Sequence, residues 1–118
     1  MSLPPRIPKK TKRATRWRSQ AHCNHVRGFA CCVPGCDGRP IEVAHIRLGS
    51  GAGMGQKPDD WNIVSLCRDH HAEQHRLGER TFWRSVAQRD PWALRDEFIK
   101  ASPRRSQIEQ AMQERANG

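Results

Sequence analysis

Residues 67–75 are Cys67-Arg68-Asp69-His70-His71-Ala72-Glu73-Gln74-His75. Four side chains able to ligate a metal fall within this short block. Cys67 and His70 have the C-x2-H spacing of half a zinc knuckle. His71 and His75 stand four apart, so on a helix they leave from one face. Neighbouring helical positions diverge by about 100°, so His70 and His71 do not easily share one ion. The stretch predicts a helix over about residues 67–77 that serves two metals, one holding the fold and one doing chemistry.

The rest of the first centre lies upstream, in Cys31-Cys32-Val33-Pro34-Gly35-Cys36. A C-x4-C knuckle there, joined to the C-x2-H knuckle, gives four soft or borderline ligands. Cys31, Cys36, Cys67 and His70 predict a closed tetrahedral zinc site with no open position. Pro34 and Gly35 supply the turn that lets both thiolates face inward. Cys32 offers a C-x3-C alternative; Cys31 is preferred, and Cys32 is expected to be a small buried side chain. The chain has five cysteines, an odd count, and six histidines. That balance favours metal ligation over a disulfide framework.

The totals agree with a small metal-stapled domain. The chain has 118 residues, of which 36% are apolar, too few for a large core, so a structural metal would help hold it. The net charge is +9, which points to a polyanionic partner, most often nucleic acid. Residues 1–36 carry Arg6, Lys9, Lys10, Lys12, Arg13, Arg16, Arg18 and Arg27 and no acid, so nearly all the excess charge sits in the first third. Such an arm is suited to sequence-independent phosphate contacts. No run of 18 apolar residues and no signal-peptide core occurs, so a soluble, cytoplasmic protein with no membrane partner is expected.

Between the knuckles, Ile41-Glu42-Val43-Ala44-His45-Ile46 alternates as a strand does, with Ile41 and Val43 on one side. Residues 48–60 form a glycine-rich connection. It is no P-loop, because no Gly-Lys-Ser/Thr follows. Residues 61–66 are expected to be a second short strand. Residues 16–27 predict a helix before the knuckle. Downstream, Thr81 is expected to cap a helix carrying Phe82, Trp83 and Val86, with the aromatics as core. Asp90-Pro91 is an N-cap followed by Pro at the first helical position, with Leu94 and Phe98 four apart. Ser102-Pro103 repeats that start signal for a polar final helix whose apolar stripe is Ile108 and Met112.

A strand carrying a histidine, a loop, an Asn at the next strand and a helix with H-x3-H together resemble the HNH endonuclease family. The matching residues are Ala44-His45-Ile46, Asn62-Ile63-Val64-Ser65-Leu66-Cys67 and His70-His71. The chain is also similar to a phage and prophage branch of small, Ref-like, recombination-associated HNH proteins. The further marks are Val26-Arg27, Cys31 through Cys36, Arg47, Lys57-Pro58-Asp59-Asp60-Trp61, Arg68-Asp69 and Gly78-Glu79-Arg80-Thr81-Phe82-Trp83. The resemblance covers about residues 17–84.

It implies an α+β fold: a small zinc-stabilised ββα-metal (HNH) domain with additional helices at the C-terminus. The expected organisation is a basic N-terminal arm over 1–16, the nuclease domain with its zinc knuckle over 17–101, and a helical extension over 102–118. The implied activity is metal-dependent hydrolysis of phosphodiester bonds in DNA. His45 would act as general base, and Asn62 would orient it or hold the loop. His71 and His75 would bind a catalytic ion, Mg, Mn or another divalent metal. Arg13, Arg16, Arg18, Arg47 and Lys57 are candidate DNA contacts, and a recombinase or phage protein is a candidate partner. HNH nucleases commonly place an acid or a second histidine just before the base. Here that position is Ala44, and Glu42, two residues earlier, is the nearest acid able to reach inward. The alternative reading is a non-catalytic zinc-stabilised DNA-binding or recombination accessory module.

Overall fold

Two antiparallel strands carry the centre of the fold. β1 spans Ile41–His45 and β2 spans Ile63–Cys67, with Ile41 opposite Cys67 and His45 opposite Ile63. Their β-branched residues suit a pleated, packed surface. Every residue of β2 is buried, so both sheet faces are covered. The cover comes from helix α1 (Gln20–Arg27), helix α2 (Arg68–Leu77) and helix α4 (Pro91–Lys100), all of which contact β2. The computed structural model describes residues 16–48 and 58–117. The glycine-rich residues 49–57 and the arm residues 1–15 lie outside the described residues.

The second strand begins two residues later than its sequence pattern predicts. The Asn62 N–H donates to the Asp59 carbonyl at 3.0 Å, closing a turn that takes up Trp61 and Asn62 before pairing starts. The strand then runs straight into α2. Cys67 is both the last residue of β2 and the N-cap of α2, where its Sγ accepts from the His70 N–H at 3.4 Å. Strand and helix therefore share one residue, and that residue is a cysteine.

Helix α1 is shorter than the 16–27 span expected. Residues 16–19 form no regular element, and Ser19, itself extended, caps the helix by accepting from the His22 N–H at 3.2 Å. Thr81 does not cap a helix. A one-turn helix α3 (Glu79–Thr81) starts earlier, where the Phe82 N–H donates to the Gly78 carbonyl at 3.0 Å. It continues as a π-helical stretch, Phe82–Ala87. Phe82 and Trp83 are core residues, packed edge to face at 5.2 Å. Asp90 and Pro91 open α4 as their types predict, with the Trp92 N–H donating to Asp90 Oδ1 at 2.9 Å.

The final helix, α5 (Arg105–Asn117), docks despite its polarity. Ile108 is fully buried against Trp61 and Ile99, with Trp17 and Met112 alongside. Arg115 then grips Asp59 through two nitrogens, at 2.8 and 3.1 Å. Among the described residues, no helix is long and apolar enough to cross a membrane.

Candidate metal centre and histidine cleft

Cys31, Cys36, Cys67 and His70 converge, their ligand atoms all within 4.8 Å of one another. His70 Nδ1 lies 3.5 Å from Cys31 Sγ, 3.4 Å from Cys36 Sγ and 3.3 Å from Cys67 Sγ. The Cys36 and Cys67 sulfurs are 3.9 Å apart. This has the composition and closeness of a metal-binding centre. Two local devices build it. Gly35 adopts φ +77, the left-handed conformation that turns the chain between the upstream cysteines. The helix start at Cys67 sets its sulfur one turn below His70, where the helix field favours negative charge. Burial pushes the Cys31 thiol up to about 11. Cys32 is buried outside the cluster, its Sγ 3.4 Å from Ser65 Oγ.

Gly38 belongs to this centre too, although no ligand spacing marks it. Its N–H donates to Cys36 Sγ at 3.3 Å. A Cβ at Gly38 would sit 3.0 Å from Cys67 Sγ and 3.3 Å from Cys36 Sγ. A side chain there would crowd the sulfurs, which would have to give by a few tenths of an ångström.

The next residue of α2 faces elsewhere. His71 and His75 line an open cleft of about 540 Å³ together with Val43, His45, Arg47, Gln74 and Glu79. The ring nitrogens of His71 and His75 approach to 3.3 Å, Nε2 to Nε2. The other nitrogen of His71, Nδ1, is 2.8 Å from Glu42 Oε1. Glu79 closes one end of the cleft, its carboxylate accepting from the Arg47 N–H at 3.0 Å and the Leu48 N–H at 3.3 Å.

His45 is held from behind. Its Nε2 is 2.9 Å from Oδ1 of Asp60. Burial opposes ionisation of Asp60. The His45 hydrogen bond, the Ser19 N–H and the nearby charges of His45 and Arg18 outweigh it and hold the carboxyl below the ordinary carboxylate value. In the sequence Asp60 ends the glycine-rich connection and belongs to the Lys57–Trp61 stretch of the family resemblance, with no role of its own.

Asn62 is placed differently from its expected role. It is buried, and its Oδ1 accepts from Arg95 at 3.0 Å rather than entering the cleft. Its link to His45 is through the backbone, where the Asn62 carbonyl accepts from the Ile46 N–H at 2.8 Å. Of the candidate DNA contacts, Arg47 lines the cleft. Arg18 turns inward, donating to the Pro58 carbonyl at 2.6 Å and to Asp60 at 3.4 Å, and Arg16 lies 4.0 Å from Asp59. Arg13 and Lys57 lie outside the described residues.

The chain belongs to the family described as protein of unknown function DUF968, whose model matches residues 4–86. That match takes in both knuckles and every histidine of the cleft. The chain is also 37% identical over 76 residues to the uncharacterized protein YdfU of Escherichia coli (strain K12). The aligned region is 64% of this chain and 19% of that relative, so the likeness spans about a fifth of the longer protein. No solved structure matches.

Proposed function

We propose that the protein is an HNH-type DNA endonuclease built on a zinc-stabilised ββα-metal domain. The observation that carries the reading is the shared cleft of His45, His71 and His75, with two of the three imidazoles backed by carboxylates. One histidine from a strand and two from the following helix, converging beside a sulfur centre, match the arrangement the sequence resemblance implies. The basic balance of the chain supports a polyanionic substrate.

Zinc suits the cysteine centre. With Zn–S near 2.3 Å and Zn–N near 2.0 Å, tetrahedral coordination gives ligand separations of about 3.8 Å between sulfurs and about 3.5 Å between sulfur and nitrogen. The observed 3.9 Å and 3.3–3.5 Å are close to these values. Cys31, Cys36, Cys67 and His70 would hold it.

A second divalent ion, Mg, Mn or a similar metal, fits the cleft through His71 and His75. Glu42 occupies Nδ1 of His71, which leaves Nε2 as the lone-pair nitrogen, the usual state of a ligating imidazole. Two Nε2 atoms at 3.3 Å are spaced as neighbouring ligands of one ion. Bound there, the ion would neutralise charge at phosphorus and on the departing 3′ oxygen. The chain's own groups do the rest. His45 takes a proton from water as the water oxygen bonds to phosphorus. The bond from phosphorus to the 3′ oxygen breaks, and that oxygen takes its proton from solvent. Arg47, at the cleft edge, offers positive charge to the DNA backbone.

A second reading is a DNA-binding module without catalysis. Ala44 favours it, because the position before the base offers no ligand atom. A plasmid-nicking assay with Mg or Mn separates the two readings. Wild-type protein is expected to nick, and His45→Ala to lose about 100-fold or more in rate. DNA binding without nicking by the wild type would overturn the endonuclease reading and leave the module.

A further inference from the structure

The proposed base has two ring nitrogens, and only a bare one facing the cleft can accept a proton. What selects it is on the strand-to-strand connection. Asp60 Oδ1 sits 2.9 Å from His45 Nε2, and Asp60 is buried. A carboxylate at that position requires Nε2 to carry the hydrogen, so Nδ1 is the bare nitrogen. The same carboxylate faces the imidazolium that forms once the proton is taken.

Asp60 is itself fixed on every side. Its Oδ2 accepts from the Ser19 N–H at 2.9 Å, and Arg18 stands 3.4 Å from Oδ1. Its backbone N–H donates to the Trp17 carbonyl at 2.9 Å. Next to it, Asp59 accepts from the Trp17 N–H at 2.7 Å and from Arg115 of α5. The segment leading out of the basic arm and the last helix therefore both end on this acidic pair. Among the described residues that line the cleft, His45 is the one bonded to this acidic pair.

We infer that Asp60 is the positioning residue for His45, fixing its proton on Nε2, and that residues 17–19 are part of the catalytic scaffold because they fix Asp60. The inference rests on the reading of His45 as base. It concerns a residue that the resemblance assigned no role.

The decisive measurement does not need turnover. In zinc-loaded protein with 15N-labelled histidine, long-range proton–nitrogen spectra report which ring nitrogen bears hydrogen. His45 is expected to hold its hydrogen on Nε2 in the wild type and to lose that preference in Asp60→Asn. A His45 protonated on Nδ1 in the wild type, or an unchanged tautomer in Asp60→Asn, would overturn the inference. The nicking assay adds the kinetic side. Asp60→Asn is expected to slow nicking by about 100-fold at saturating DNA, with half-saturating DNA within about twofold of wild type. Wild-type rates in a folded Asp60→Asn protein would overturn it as well. If the wild type itself does not nick, the endonuclease reading fails while the spectra still decide whether Asp60 sets the His45 tautomer. Should Asp60→Asn misfold, the wild-type spectrum alone keeps the test: hydrogen on Nε2 of His45 supports the inference, and hydrogen on Nδ1 overturns it.

Discussion

His70 and His71 are adjacent in sequence and live in opposite chemical worlds. His70 turns into a knot of three sulfurs, two of them from residues that are themselves buried. His71 turns into an open cleft, where its partners are a glutamate and another imidazole. One helical step of about 100° separates them. Soft ligands closed around a point make a cross-link, whereas imidazoles oriented by carboxylates and open to solvent make a place for a substrate. The comparison teaches that one helix carries a sulfur-rich ligand cluster on one side and an open histidine cleft on the other.

The largest effect should come from breaking the sulfur side. Chelating the metal, or replacing Cys36 by Ser, is expected to unfold the domain, since structural zinc contributes about 10 kcal/mol or more in small zinc proteins. Circular dichroism with metal analysis checks this. A folded Cys36→Ser protein holding one zinc per chain would end the claim that this centre holds the fold.

Acid offers a way to separate the centre from the helices behind it. Burial, helped by the charge of His25 and opposed by Asp60, lowers the pKa of His22 to about 4. The unfolded chain, near 6.5, then binds more protons than the folded one between those two values. Stability therefore falls as pH drops from about 6.5 toward 4, by about 3 kcal/mol from this group. Urea unfolding of zinc-loaded wild type and His22→Gln over that range tests it. Equal pH slopes would show that His22 contributes nothing to the acid loss.

On the cleft side the expected change is in affinity and not in folding. Glu42→Gln should weaken Mn binding at His71 and His75 by about 10- to 100-fold, measured by calorimetry, with the melting temperature unchanged. A melting temperature that fell along with the affinity would mean that the two sides of α2 are not independent. The smallest effect sharpens the sulfur side. Gly38→Ala places a methyl 3.0 Å from Cys67 Sγ, which should cost about 1–2 kcal/mol and speed zinc release to a chelator. Unchanged release would show that the approach of Gly38 to the sulfurs is incidental.

How much of this was visible in the chain follows from range. The sulfur ligands were legible because spacing alone restricts them: two pairs, each a turn apart, with Pro34 and Gly35 between the first two. The split between His70 and His71 was legible from helical geometry. The start of α4 was legible because Asp90 and Pro91 act on their own neighbours. The start of β2 and the absence of a Thr81 cap were not, because each was decided by a short backbone bond, Asn62 N–H to Asp59 and Phe82 N–H to Gly78, that neither apolar alternation nor the residue type at a cap encodes. The polar last helix had only Ile108 and Met112 to suggest docking, and Arg115 found Asp59 across the molecule.

The sequence by itself determined that this small basic chain carries two ligand sets on one helix and an alternating strand with a histidine beside them, because those features repeat at the short periods of local structure. Tertiary structure alone decided which carboxylate stands behind His45 and which behind His71, that Asn62 answers to Arg95, and that Gly38 touches sulfur. Those contacts join residues 15 to 33 positions apart, or depend on the absence of a side chain, and no local period encodes either.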